Sequence, residues 1–280
     1  MKRILIPMFI LFLLTTKTLN AQTSCCAKPE ATVAFANFSN DAGFRAAHAA
    51  PLPFVLADPK GKDISFPTPD GKPAHAWVVS PVNPSSNYLF VFHEWWGLND
   101  YIKKECERLF TDLGDVNVIA IDLYDNKVAD NADSAAAYVK GLQKERAISI
   151  IKGAIKFVGK EARIYTIGWC LGGGWSMQAS LFAGRQAQGC VMYYGMPEKE
   201  ISRLRLMNAP VYGVFAAKDQ WITKEIVKDF ESNMSKVDKK LTTKTYDAEH
   251  AFANPSNPNY DKKASADAYE RVLGFLKKLM

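Results

Sequence analysis

Beyond residue 60 the chain alternates between short apolar runs and longer stretches in which apolar side chains recur every three or four positions. Residues 88–93 (YLFVFH), 117–122 (NVIAID), 164–168, 189–194 and 211–215 are near-continuous apolar runs. Runs of that kind mark strands buried on both faces. Between them, residues 99–113, 133–158 (broken around Gly141), 171–182, 224–235 and 264–279 carry the helical spacing, and 241–246 adds a last strand. Residues 63–66 and 74–80 flank Thr68-Pro69-Asp70-Gly71-Lys72 and predict an opening hairpin. The alternation predicts an α/β domain with a mainly parallel central sheet and helices on both faces.

The first 60 residues follow a different pattern. Lys2 and Arg3 precede an apolar stretch, residues 4–14, followed by Thr15-Thr16-Lys17-Thr18 and then Leu19-Asn20-Ala21. A charged start, a short apolar core and a small residue at the end predict a signal peptide over residues 1–21, cleaved after Ala21. The apolar stretch is too short for a bilayer core, which needs about 20 residues. Gln22-Thr23-Ser24 before Cys25 depart from the pattern of a lipid-anchored cysteine. Residues 22–60 show little periodicity and read as an extended or partly helical leader lying on the main domain, residues 61–280. A periplasmic or secreted location follows as an expectation, with no membrane span in the mature chain.

Composition adds limits. Hydrophobic residues make up 48% and charged residues 23%, which excludes a coiled coil, a collagen or a wholly disordered chain. The formal charge is +6, and half of that surplus lies in the first 21 residues, so no nucleic-acid partner is indicated. The five cysteines are Cys25, Cys26, Cys106, Cys170 and Cys190. None forms a Cys-x-x-Cys pair, and no Cys/His cluster has zinc spacing. Cys106 and Cys190 fall in helix and strand patterns, where a buried side chain is the ordinary use.

The chemistry concentrates around Cys170. A strand runs into Gly168-Trp169-Cys170-Leu171-Gly172-Gly173-Gly174, and a helix follows. This has the form of a nucleophile elbow with Cys in place of Ser. Side chains at Gly168 and Gly172 would collide with neighbouring backbone in such a turn. The helix dipole directed at the sulfur favours thiolate. A thiol nucleophile needs a base, and the base needs an orienting acid. Of the four histidines (48, 75, 93 and 250), only His250 follows Cys170, just beyond a strand. Asp219 lies just past the strand 211–215, so the order nucleophile, acid, base is met by Cys170, Asp219 and His250. Two N–H donors are then needed for an oxyanion. Leu171, next to the nucleophile, supplies one, and Trp95, in the loop His93-Glu94-Trp95-Trp96-Gly97, supplies the other. His93 reads as a core histidine at the strand end.

These residues resemble the dienelactone hydrolase family of α/β-hydrolases. The resemblance rests on His93-Glu94-x-x-Gly97, Asp122-Leu123-Tyr124, Gly168-x-Cys170-x-Gly172-Gly173, Asp219, and His250-x-Phe252-x-Asn254-Pro255, and covers roughly residues 60–280. It implies a Cys170–His250–Asp219 triad, a carboxylate at Glu94 that contacts the thiol in the resting enzyme, and an oxyanion hole at Leu171 and Trp95. It implies no metal or organic cofactor. Two arginines that hold the substrate carboxylate in characterised members are absent: the chain has Asp125-Asn126-Lys127 at one position and Asn254 at the other. Lys127 substitutes as a point charge at best. Trp96, Trp169, Trp221, Phe252, Lys127 and Asn254 are the candidate pocket residues, with core packing an equal alternative for the aromatics.

The resulting expectation is an exported carboxylic ester or lactone hydrolase acting on a small molecule through a thioester acyl-enzyme. Two alternatives stand beside it: a non-catalytic binding protein on a hydrolase scaffold, and a redox-active thiol protein using Cys170 or Cys25–Cys26. The oligomeric state is left open.

Overall fold

The structure, a computed structural model, describes residues 30–280. The expected signal peptide and the Cys25–Cys26 pair lie outside the described residues. One eight-stranded sheet organises the rest, in the order β1-β2-β4-β3-β5-β6-β7-β8. Strands β1 (Lys62–Pro67) and β2 (Pro73–Val79) form the antiparallel hairpin that the turn residues predict. The turn closes with the Gly71 N–H donating to the Thr68 carbonyl, 3.0 Å, and Gly71 takes φ +80°, which glycine adopts without strain. β2 is also antiparallel to β4 (Asn117–Ile121). From there the sheet is parallel through β3 (Asn87–Phe92), β5 (Arg163–Trp169), β6 (Ala187–Tyr193), β7 (Val211–Ala216) and β8 (Leu241–Tyr246).

Both faces are covered, and successive residues of β5 show it. The Tyr165 hydroxyl donates to the carbonyl of Leu279, at the end of α9 (Lys262–Leu279). The next residue, Thr166, points the other way and accepts from the Ser176 hydroxyl of α6 (Leu171–Ala183). Side chains alternate across a strand, so α9 and α6 lie on opposite sides. All five residues of β4 are buried, which is why its sequence carries no polar alternation. α3 (Asp100–Leu113) starts at Asn99, whose side chain accepts from the Ile102 N–H at 3.2 Å. The helical stretch that breaks near Gly141 divides into α4 (Ala132–Gly141) and α5 (Lys144–Val158). A short helix, α7 (Ile201–Leu204), has no counterpart in the sequence reading, because four residues hold too little periodicity to register. α8 (Lys224–Lys236) precedes β8.

The described part of the leader is helical up to Ala46 and runs on without regular structure over residues 47–60. α1 (Glu30–Asn37) packs against α6 and α4, and a 3-10 turn leads into α2 (Ala42–Ala46). Asp41 caps α2 by accepting from the Phe44 N–H at 2.6 Å. Phe38 stacks on Phe44, and Phe35 meets both edge-on, with ring centroids 5.4–5.8 Å apart, a small aromatic core that fixes the arm. Cys106, Cys170 and Cys190 are free and buried. Among the described residues no helix is long and apolar enough to cross a membrane.

Candidate active site

The turn between β5 and α6 holds Cys170 at φ 57°, ψ −121°, a backbone region that costs a residue with a Cβ about 1–3 kcal/mol. Its neighbours hold it there. The Cys170 N–H donates to the Tyr193 carbonyl at 3.0 Å, and the Gly173 N–H donates to the Cys170 carbonyl at 3.1 Å. A Cβ on Gly168 would stand 2.1 Å from the Gly172 carbonyl oxygen, and one on Gly172 would stand 2.2 Å from that of Phe92. The steric requirement expected of those two glycines is therefore present. Tyr194 and Ala251, also next to the site, take positive φ as well.

Residues from three strand ends meet at the sulfur. His250 Nε2 lies 3.5 Å from Cys170 Sγ, and His250 Nδ1 lies 2.6 Å from Asp219 Oδ2. The other Asp219 oxygen accepts the N–H groups of Trp221 and Ile222, both at 2.9 Å, so its orientation is set by backbone. Burial works against the Asp219 charge, but the His250 imidazole and these hydrogen bonds outweigh it and hold the carboxyl below its ordinary range. The backbone N–H groups of Leu171 and Trp95 both point at the Cys170 sulfur.

Two expectations about the thiol need correction. Burial, then the nearby Glu94 charge, push the Cys170 thiol well above its ordinary range, and the donors at Leu171 and Trp95 only partly offset this. A helix N-terminus does not by itself make a thiolate here, because the desolvation cost of a fully buried charge is larger. Nor does Glu94 hydrogen-bond the thiol. Its carboxylate accepts from the Tyr194 hydroxyl at 3.4 Å and from Asn254 Nδ2. Burial raises Glu94 to about 7, with His250, Asn254 and Tyr194 opposing the shift.

The sulfur is also less accessible than a nucleophile at the mouth of a sheet should be: Cys170 has 0% and His250 1% of its surface exposed. The cover is the arm. Phe44 sets its ring edge-on to Trp95 and Trp221, 5.3 and 5.1 Å between centroids, and 5.9 Å from His250. His48 follows α2 and sits 4.9 Å from the Trp95 ring and 5.3 Å from the His250 ring. Its Nδ1 lies 2.6 Å from the Phe44 carbonyl oxygen, and burial lowers its pKa to about 3, so the ring is neutral. The sequence reading missed His48, because a lone histidine in an aperiodic leader carries no spacing to connect it with residues far along the chain.

A cavity of about 270 Å³ adjoins the site on the side of Glu94. Of the candidate pocket residues, Trp96, Trp169 and Asn254 line it. Three other candidates do not. Phe252 is fully buried between Tyr194 and Tyr246, Trp221 packs on His250 and Phe44, and Lys127 extends over the Tyr138 ring. Lys104, Glu105 and Arg108 of α3 line the cavity instead, with Arg108 against the Tyr269 ring, 3.4 Å from its centroid. Nothing in the helical spacing of α3 distinguishes these from ordinary solvated charges. His93 is the core residue expected: fully buried, Nδ1 2.5 Å from the Glu94 carbonyl oxygen and Nε2 accepting from the Leu123 N–H at 3.1 Å. It ties the loop after β3 to the loop after β4 and so fixes where Glu94 and Trp95 stand.

Known proteins carry the same arrangement of elements. A dienelactone hydrolase-like promiscuous phosphotriesterase from metagenomic libraries superposes with a TM-score of 0.67 at 19% identity, covering 79% of this chain and 99% of that one. In sequence, a putative carboxymethylenebutenolidase of Aquifex aeolicus is 29% identical over 204 residues, 68% of this chain and 87% of that protein. One from Saccharolobus solfataricus is 26% identical over 258 residues, 78% of this chain and 98% of that protein. The sequence profile of the dienelactone hydrolase family matches residues 74–280, from β2 to the last residue, which takes in the elbow, the Glu94 loop, Asp219 and His250 together. By that match and by its sheet, the chain belongs to the dienelactone hydrolase family.

Proposed function

We propose that the protein is an exported carboxylic ester or lactone hydrolase that works through a Cys170–His250–Asp219 triad and a thioester acyl-enzyme. The observation that carries the reading is the chain of contacts Asp219–His250–Cys170, 2.6 Å and 3.5 Å, at a strained strand-to-helix turn with two N–H donors directed at the same sulfur. Curated relatives named carboxymethylenebutenolidase support an ester or lactone as substrate class. Export rests on the composition of residues 1–21.

The steps follow from the residues. A substrate entering by the cavity beside Glu94 brings its carbonyl to Cys170. His250 Nε2 takes the thiol proton while Asp219 steadies the imidazolium through Nδ1. The sulfur attacks, and the carbonyl oxygen takes the negative charge where the Leu171 and Trp95 N–H groups converge, in surroundings dry enough to make those bonds strong. The C–O bond breaks, His250 returns its proton to the departing oxygen, and a thioester remains. Water then gives a proton to His250, attacks the thioester and releases the acid, with the proton returning to sulfur. Displacing the Glu94 carboxylate removes a negative charge from beside the forming thiolate, which lowers the cost of the first step.

Hydrolysis of p-nitrophenyl acetate by the wild type, Cys170→Ala and His250→Ala tests it. Both variants should lose turnover by at least about 1,000-fold. Undiminished turnover in both would refute the triad.

A further inference from the structure

We propose that His48, Cys170 and His250 together bind one borderline-soft transition-metal ion, zinc above all, and that the bound ion holds the hydrolase in an inactive state. One ring nitrogen of His48, one of His250 and the Cys170 sulfur all lie within 4.8 Å of one another, and His250 Nε2 is already 3.5 Å from that sulfur. Around a tetrahedral zinc, with Zn–S of about 2.3 Å and Zn–N of about 2.0–2.1 Å, ligand atoms stand roughly 3.3–3.7 Å apart. The existing trio needs only a modest approach by His48 to reach that geometry.

The two imidazoles are prepared in the same way. His250 Nδ1 is engaged by Asp219, and His48 Nδ1 by the carbonyl of Phe44, each at 2.6 Å. Tying the far nitrogen to a carboxylate or a carbonyl leaves Nε2 as the lone pair and fixes the ring, as is usual for metal-bound histidine. His250 needs that arrangement as a base. His48 has no such reason: its Nε2 is buried and has no hydrogen-bond partner, and one nitrogen of its ring lies within 4.8 Å of the Cys170 sulfur. An unpartnered buried acceptor is costly, and a metal ion would satisfy it. One thiolate with two imidazoles suits zinc, cobalt or copper(I), and does not suit magnesium or calcium.

His48 precedes the segment that the family profile matches, which begins at residue 74, so the site combines a family sulfur and histidine with a ligand supplied by this chain's own arm. The chemistry balances simply. The Cys170 S–H bond breaks, the proton leaves to solvent, and a metal–sulfur bond forms. Water or a small anion would complete the tetrahedron as the fourth ligand. A sulfur donating its lone pair to a metal cannot attack a carbonyl, so occupancy and turnover exclude each other. That inhibitory consequence rests on the hydrolase reading above, whereas the metal site itself does not.

Cobalt(II) titrated into chelator-treated full-length protein tests the site directly, because a cobalt–thiolate bond gives a charge-transfer band in the near ultraviolet. The expected result is one cobalt per chain with that band, competed away by zinc and abolished in Cys170→Ala. His48→Ala should weaken binding by at least about tenfold, and His48→Gln, which keeps the volume without the imidazole, should do the same. Zinc should also inhibit ester hydrolysis, with its half-inhibitory concentration moved upward by the same factor in His48→Gln. Absence of the band in wild type, or equal affinity in wild type and both His48 variants, overturns the proposal. A band with no ester turnover under any metal condition leaves the site standing and removes the hydrolase reading instead.

Discussion

Asn254 Nδ2 donates to Glu94 Oε2 across 160 residues of sequence, joining the loop after β3 to the loop that carries His250. The contact gives the Asn254 amide a task inside the chain: it serves the buried carboxylate of Glu94. The bond favours the ionised form of Glu94, which burial raises to about 7. Asn254→Ala removes that donor and leaves the burial, so Glu94 should titrate at a still higher pH. Carbonyl-selective ¹³C NMR of labelled Glu94 would report the midpoint, and a midpoint lower than the wild type's would contradict the assignment.

The same carboxylate links stability to pH. The native state binds the Glu94 proton up to about pH 7, whereas the unfolded chain releases it near 4.5. Between those values the unfolded state holds fewer protons, so stability falls as pH rises through that window. Glu94→Gln keeps the volume and one acceptor oxygen and carries no charge. Its melting temperature should exceed the wild type's at pH 8 and match it near pH 4, a difference worth up to about 3 kcal/mol. Parallel curves for the two proteins across pH 4–8 would show that Glu94 is not the group responsible.

The elbow makes a steric prediction with an internal control. Gly172→Ala places a methyl 2.2 Å from the Phe92 carbonyl oxygen, a backbone atom that cannot swing aside. Gly141→Ala, at the end of α4, meets nothing within 4 Å. The first should cost several kcal/mol or prevent folding, and the second should be neutral or stabilise by up to about 1 kcal/mol. Urea denaturation of both variants compares them directly. Equal midpoints would mean that the β5–α6 turn is not packed against β3 as described.

These residues also show where sequence was sufficient. The strands were legible because a sheet covered on both faces leaves apolar residues at successive positions, as in β4, where every residue is buried. The elbow was legible because its constraint is local: two glycines, one on each side of Cys170, each needed for a contact within a few residues or with one strand end. Glu94, Asp219 and His250 could be placed because order along a parallel sheet fixes which loops meet at its carboxyl end. The arm was not legible in this way. α2 spans only Ala42–Ala46, too short for a period to emerge, and its contacts with Trp95, Trp221 and His250 are entirely long-range. Side-chain direction failed for a related reason. Phe252 and Lys127 lie beside the motifs in sequence, but the backbone turns them into the core and over Tyr138.

Phe44 is the residue through which the arm closes the site. It is 1% exposed and contacts Phe35, Phe38, Trp95, Trp221, His48 and His250. Phe44→Ala should cost about 3–5 kcal/mol, the usual range for emptying an aromatic from a packed core. Its local effect should be larger than its global one. Removing the ring opens a path to Cys170, whereas Cys106 is a buried residue of α3 and Cys190 belongs to β6. Iodoacetamide alkylation followed by peptide mass spectrometry reads all three thiols in one sample. In Phe44→Ala the Cys170 rate should rise relative to the other two. A uniform rise at all three would mean general unfolding, and no change would mean that the arm does not control access to the sulfur.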